Sequence, residues 1–269
     1  MTGLGAGLAW SSLSASSSAS SSLASSSASL ASLALVTPRK LWRLFDGFDW
    51  SIVWAQRSNL LRGVGLLAWV ALASMVLSVV VGALVASARR SQVKPVRWLA
   101  WAYIQLFRGI SLYVLVIWMF FGLAAAAQWR LPAATAGIVA LTLLHSAYLA
   151  EAFRAALAVI PPGQHEAAAA VGLSRLTSWR YVIGPQFVRV ALPVAGNQLV
   201  DIVKDSAILS VIGVRELFRE TQRWSQFYSA PFEFYTAAGL IYLGLVLVVA
   251  RGVRILERRL QWGVSTARS

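Results

Sequence analysis

The sequence predicts an all-α integral membrane protein with about five transmembrane helices. Of its 269 residues, 58% are hydrophobic and only 13% are charged, whereas a soluble domain usually carries about a quarter charged residues. Such an apolar excess requires lipid around it. The apolar residues are gathered into long runs, and about 20 of them are enough for a helix to cross a bilayer.

Composition divides the chain into four segments. Residues 1–37 are rich in Ser and Ala, a low-complexity composition typical of disorder. Residues 38–62 mix aromatic and charged side chains, as segments at a membrane interface do. We expect the membrane domain over residues 63–260 and a cytoplasmic tail over residues 261–269.

Five apolar stretches are expected to cross the membrane, namely 64–88, 110–128, 132–150, 190–214 and 234–250. An apolar run leads into the second stretch and is interrupted at Arg108 and Gly109. Five crossings put the termini on opposite sides. Lys and Arg are more numerous in the loops on the C-terminal side, which the positive-inside rule places in the cytoplasm. The net charge of +14 is spread over these loops, so nucleic acid is not an expected partner.

Few residues are suited to chemistry. The chain has no Cys and two His, His145 and His165, so we expect neither a metal site nor a cofactor on this chain. No glycine-rich loop followed by Lys and Ser or Thr indicates a nucleotide site. A membrane-embedded enzyme would need a converging acid, base or metal cluster. That class and a structural or channel-forming membrane protein are the alternatives to the function considered below.

The segment between the third and fourth crossings has a different pattern. Pro161, Pro162 and Gly163 should break the preceding helix. Residues 164–171 are rich in Ala, the best helix former, and Gly172 should end a short helix there. Glu166 near its N-terminus complements the helix dipole. By itself this pattern is more typical of an Ala-rich connector.

The surroundings of this segment resemble a known family. Glu166-Ala-Ala, followed by Gly172, Val182 and Pro185, is similar to the EAA loop of binding-protein-dependent ABC permeases. Further motifs resemble polar amino acid permeases and follow in the same order: Arg108-Gly109, Ala140-Leu-Thr-Leu, Ser146-Ala-Tyr-Leu-Ala-Glu151, Ile160-Pro-Pro-Gly-Gln164, Lys204-Asp205-Ser206 and Val211-Ile-Gly-Val-Arg-Glu-Leu217.

The resemblance implies a type I ABC importer in the cell (inner) membrane. Two permease subunits, identical or paralogous, form the path for polar amino acids or related solutes such as opines. A solute-binding protein delivers substrate, and two ATPase subunits bind Mg-ATP. The ATPase would dock at a coupling helix through Gly163, Gln164, Glu166, Ala167, Ala168 and Gly172. Ser111, Leu115, Gly184 and Ala207 depart from the family pattern, which leaves the substrate open.

Charged residues in the fourth stretch are candidates for the substrate path. Gln198, Asp201 and Asp205 are spaced to share one helix face, with Lys204 beside them. A charge inside the bilayer costs about 2.5–3.5 kcal/mol, so this face should meet the bundle interior or a wet cavity. It either lines the translocation path, or Lys204 pairs with Asp201 and Asp205 with another span.

Other polar residues near the crossings are expected to be structural. Arg108 should extend to the interface or order a gate, and Glu151 is spaced to pair with Arg154. His145 should make a hydrogen bond between helices, and His165 a polar contact at the docking surface. Gly172 and Pro185 would bound the element that moves with the ATPase.

Overall fold

The computed structural model describes residues 47–128 and 130–261. The predicted low-complexity segment, residues 38–46 of the predicted interfacial segment and residues 262–269 of the predicted tail lie outside these. In the described part every regular element is helical, which confirms the predicted fold class.

The α-helices are α1 (Ser51–Ala55), α2 (Arg57–Arg89), α3 (Lys94–Gly109), α4 (Leu112–Ile117), α5 (Leu123–Ala127), α6 (Ala133–Val159), α7 (Pro162–Ala170), α8 (Arg175–Ser178), α9 (Gly184–Asp205), α10 (Leu217–Tyr228) and α11 (Pro231–Gln261). A π-helical turn at Trp118–Gly122 joins α4 to α5, and another at Trp179–Ile183 joins α8 to α9. A 3₁₀ helix, Ser206–Ile212, continues α9.

Within the described residues, α2, α6 and α11 are long and apolar enough to cross a membrane. Helix α3 and the α4–α5 segment form a bent pair with an angle of 105°, which would add a fourth crossing. The bend follows Gly109, where the sequence predicts an interruption. Helix α9 does not meet the same test, because its charged residues lower its hydropathy. Five crossings therefore stay a prediction.

Several predicted bounds are wrong. The stretch 190–214 is not one helix, because α9 begins at Gly184 and gives way to the 3₁₀ helix after Asp205. The third crossing continues to Val159, since only the pair Pro161 and Pro162 stops it. Helix α2 is continuous from Arg57 and extends across residue 63, while the boundary of the membrane domain there stays a prediction. The interfacial role of residues 38–62 stays a prediction.

Helices α2 and α6 form the centre of the fold and approach closely through small side chains. The buried face of α2 carries Ser74, Ser78 and Gly82 at intervals of four residues. A Cβ at Gly82 would lie 3.1 Å from the carbonyl oxygen of Ser146 in α6. Small residues at such contacts let helices in lipid gain packing energy that the hydrophobic effect does not supply there.

Helix α2 also separates two ends of the molecule. Near its start, Gly63 lies against Leu217 at the beginning of α10. Just beyond its end, Arg90 lines a cavity together with residues of α7. The 27 residues between these contacts span about 40 Å at 1.5 Å per residue. A hydrocarbon core is about 30 Å thick, so α7 and α10 lie near opposite ends of a helix long enough to cross a membrane.

Candidate functional site

Helix α7 forms in the segment for which an ATPase-docking helix was predicted. It spans Pro162–Ala170, so it begins earlier than the predicted residue 164. Pro162 and Gly163 belong to its first turn instead of breaking the chain before it. Proline is tolerated there because the first N–H groups of a helix have no intrahelical acceptor.

Gly172 ends this segment as predicted, in a Schellman motif. Its N–H donates to the carbonyl oxygen of Ala169 at 3.0 Å, and the N–H of Leu173 donates to that of Ala168 at 3.0 Å. The backbone of Gly172 has a φ of +77°, which other residues adopt only at a cost. The direction in which the chain leaves α7 is therefore fixed by a glycine.

The surface of α7 is open. Ala168 alone among its residues is buried, while Gly163, Gln164, Glu166 and Ala167 are exposed. The small exposed side chains leave the helix backbone accessible to a groove on another protein. This exposure is what a docking element requires.

A hydrogen bond joins α7 to α9 on one side, and a cavity lies on the other side. The Gln186 Nε2 donates to the Gln164 Oε1 at 3.2 Å, which joins its first turn to α9. A cavity of about 500 Å³ separates its other side from the end of α2, with Arg90, His165 and Arg175 among its lining residues. The helix is thus held at its edges and free along its outer face.

A second cavity, of about 390 Å³, brings all four predicted path residues together. Gln198, Asp201, Lys204 and Asp205 of α9 line it with Leu144, His145 and Tyr148 of α6. Asp201 and Lys204 form an ion pair at 2.8 Å. Asp205 ends α9, but its carboxylate lies 3.3 Å from the Nε2 of His145, halfway along α6. The two pairs considered from the sequence are therefore both present, and the same residues line the cavity.

His145 is the centre of this polar group. It is 2% exposed, and its Nδ1 lies 2.9 Å from the Oε1 of Gln198, so the predicted hydrogen bond between helices is confirmed. Its Nε2 faces the Asp205 carboxylate without forming a hydrogen bond. The contact between His145 and Gln198 therefore joins the side chains of α6 and α9.

Tyr148 is a lining residue that sequence reasoning missed. Its ring carries the guanidinium of Arg108 at 5.2 Å from the ring centroid, a cation–π contact. Arg108 at the bend after α3 is thereby attached to the rim of the polar cavity. His145 and Tyr148 are three residues apart on α6, and side chains at that spacing share a helix face. This spacing could have predicted that Tyr148 lies beside His145.

The remaining predicted site residues are located as follows. Glu151 accepts hydrogen bonds from Arg154, the predicted local pair. Pro185 lies in the first turn of α9, directly after the π-helical turn. Its neighbour Gly184, a departure from the family pattern, has a structural reason: a Cβ there would lie 2.6 Å from the carbonyl oxygen of Trp179. The described residues contain no cluster of three metal-ligating side chains.

The fold and these two sites define a class of membrane transport subunit. Residues 50–262 match the family described as "Binding-protein-dependent transport system inner membrane component". The chain belongs to this family and is a multi-pass permease subunit of an ABC importer.

Similar proteins are permeases named for amino acids. The probable glutamine ABC transporter permease protein GlnM of Bacillus subtilis is 36% identical, over 68% of this chain and 85% of its own length. The glutamine transport system permease protein GlnP of Escherichia coli is 34% identical, over 80% and 98%. The histidine/lysine/arginine/ornithine permease HisQ of Salmonella typhimurium is 33% identical, over 77% and 96%.

A solved structure has the same architecture. A crystal structure of an amino acid ABC transporter with histidines superposes with a TM-score of 0.73 at 32% identity, over 78% of this chain and 98% of that one. An inward-facing methionine ABC transporter reaches a TM-score of 0.64 at 22% identity, a likeness of fold.

Proposed function

We propose that this chain is the permease subunit of an ATP-driven importer that moves polar amino acids into the cytoplasm. The observation that carries the proposal is the combination of an exposed, glycine-capped helix at one end of α2 with a charged cavity between α6 and α9. The first can receive force from another protein, and the second can hold a small polar solute. The names of the relatives support amino acids as the substrate class.

The cavity is suited to a zwitterion. It presents the carboxylates of Asp201 and Asp205 and the ammonium of Lys204, so it offers partners to both the ammonium and the carboxylate of an amino acid. Its volume lies within the range of small-molecule sites.

The exposure of these charges supports a second permease subunit. The side chains of Asp201, Lys204 and Asp205 are between a third and about half exposed in the isolated chain. Charges at this depth are too costly to face lipid. We infer that a second copy or a paralogue covers this face and that the two subunits enclose an aqueous path.

Helix α7 would transmit ATP binding to this path. ATPase subunits bind Mg-ATP, seat α7 in a groove and move it as they close, so hydrolysis takes place outside this chain. This docking requires α7 in the cytoplasm, and the positive-inside rule supports a cytoplasmic C-terminus. ATP and substrate then each favour one of two states, as alternating access requires.

The coupling role is tested in liposomes that contain this permease, its ATPase and its binding protein. Gly172→Val is expected to abolish uptake of labelled amino acids while ATP hydrolysis continues without stimulation by substrate. Gly213→Val is the matched control, since Gly213 has a φ of +86° and open space around its Cβ but lies near α10. Normal substrate-stimulated hydrolysis in Gly172→Val would contradict the coupling role.

The path role has a separate test. Asp205→Asn keeps the shape of the side chain but removes its charge, and we expect uptake to fall at least about tenfold, as for losing a charged hydrogen bond. Unchanged uptake at normal expression would leave Asp205 a structural partner of His145.

A further inference from the structure

The charges of α10 are separated by burial. Glu216 and Glu220 are buried, with 0% and 4% exposure, whereas Arg215, Arg219 and Arg223 are exposed. In the sequence these residues alternate, and the sum of charges suggests a nearly neutral segment. In space, the surface of this helix is cationic.

The two glutamates are engaged beneath that surface. Glu216 accepts hydrogen bonds from the backbone N–H groups of Phe218 at 2.7 Å and Arg219 at 2.9 Å, and from the Tyr242 hydroxyl at 2.8 Å. Its charge is directed into the bundle. Glu220 accepts from the Nε of Arg215 at 2.7 Å and lies 3.9 Å from Arg223. Glu220 therefore pairs with Arg215 and lies near Arg223, while the Arg219 side chain is exposed.

These guanidinium groups converge. Arg215, Arg219 and Arg223 line one cleft of about 360 Å³ with Glu220 and Gln226. The side chains of Arg215 and Arg223 are 63% and 56% exposed, so they can meet a partner. Arginine presents donors in a planar fork that matches a carboxylate in two-pronged geometry.

The location of the cleft indicates which partner this is. It lies at the end of α2 opposite α7, hence outside the cell membrane if α7 is cytoplasmic. Positive residues near spans normally collect on the cytoplasmic side, so an exposed cationic cleft here opposes the charge bias of the fold. The family depends on a binding protein, which in the proposed import function delivers solute from this side.

We infer that the cleft formed by Arg215, Arg219 and Arg223 docks an acidic patch on the solute-binding protein. The inference rests on the proposed function and adds the surface and the charge of the partner. Complementary charges of this kind accelerate and orient the encounter of two proteins. Glu220 holds the Arg215 side chain from below, and Glu216 accepts from the backbone N–H of Arg219.

The test measures ATP hydrolysis by the permease–ATPase complex in nanodiscs as the liganded binding protein from the same gene cluster is titrated. Arg219→Glu with Arg223→Glu should raise the half-maximal concentration of binding protein about tenfold or more, while the maximal rate changes less than twofold. The paired charge-neutral changes to Gln should give an intermediate shift. Arg215 is kept, because Glu220 would otherwise lose its 2.7 Å partner.

Arg62→Glu is the matched control. Arg62 is exposed on α2 at the same end of the molecule, and its reversal should shift the half-maximal concentration less than twofold. Raising the ionic strength should weaken the wild-type interaction more than that of the double variant.

Three results would overturn the inference. If the wild-type complex is not stimulated by binding protein, the proposed function fails with it. If the wild type is stimulated and both paired variants behave like it, only the docking surface is wrong. If the variants differ from wild type only in nanodiscs that contain anionic phosphatidylglycerol, the cleft contacts lipid instead.

Discussion

Helices α7 and α10 are both short helices between spans, at opposite ends of α2, yet they are held in opposite ways. Helix α7 has a single buried residue and ends at a glycine with open space around it. Helix α10 begins at a buried glutamate with three hydrogen-bond donors and lies directly against α2. Helix α7 is attached lightly, as the proposed docking role requires, whereas α10 is fixed through the core.

The largest effect on stability is expected at the contact between Gly63 of α2 and Leu217 of α10. A Cβ at Gly63 would lie 2.9 Å from the backbone N and Cα of Leu217, so Gly63→Leu should displace α10 and lower stability by about 3 kcal/mol. Gly65→Leu is the control, because nothing lies within 4 Å of its Cβ. Thermal melts in detergent measure the difference; equal melting temperatures for the two variants would show that α10 is not fixed through this contact.

The second test concerns carboxylates. Glu216→Ala leaves two backbone N–H groups and the Tyr242 hydroxyl without their acceptor, which should cost about 2 kcal/mol. Glu166→Ala removes an exposed carboxylate from α7 and should leave the melting temperature nearly unchanged while it weakens ATPase binding. Comparable destabilisation by both variants would contradict the contrast between the two helices.

The third test uses pH. Burial raises the pKa of Glu216 to about 7, against the hydrogen bonds from Phe218, Tyr242 and Arg219 that favour the charged form. Since the unfolded value is about 4.5, the folded protein binds the proton more tightly between these values. Stability should therefore fall as the pH rises from about 5 to about 8.

Protonation leaves the side chain and its three donors in place, so this effect comes from the charge alone, unlike that of Glu216→Ala. Glu216→Gln should reduce the slope of melting temperature against pH over this range. A slope equal to that of the wild type would assign the pH dependence to other groups.

The smallest effect on stability is expected at two glycines with positive φ, one after α7 and one before α10. Gly172 and Gly213 have φ values of +77° and +86° with nothing near their Cβ positions. Alanine at either should cost about 1 kcal/mol of backbone strain. Similar melting temperatures with a coupling defect in Gly172→Ala alone would support a coupling role specific to α7. A coupling defect in both variants would contradict it.

Much of this architecture follows from the sequence. Long runs without charge require lipid and predict helices, because each backbone group must be satisfied within its own segment there. The end of α7 at Gly172 and the pair of Glu151 with Arg154 depend on neighbours in the chain, so local pattern predicts them. The motif order likewise predicts the family.

Only the tertiary structure decided which charges face outward and which elements meet. Glu216 and Arg215 are adjacent in sequence, but one lies under Tyr242 of α11 and the other lines a cleft. Asp205 was predicted near the middle of a helix and instead ends one, with His145 of α6 as its partner. The burial and the partners of these side chains depend on helices distant in sequence. Composition and residue spacing therefore do not predict them. Helix α7 was therefore visible in the sequence, whereas the cleft lined by Arg215, Arg219 and Arg223 was not.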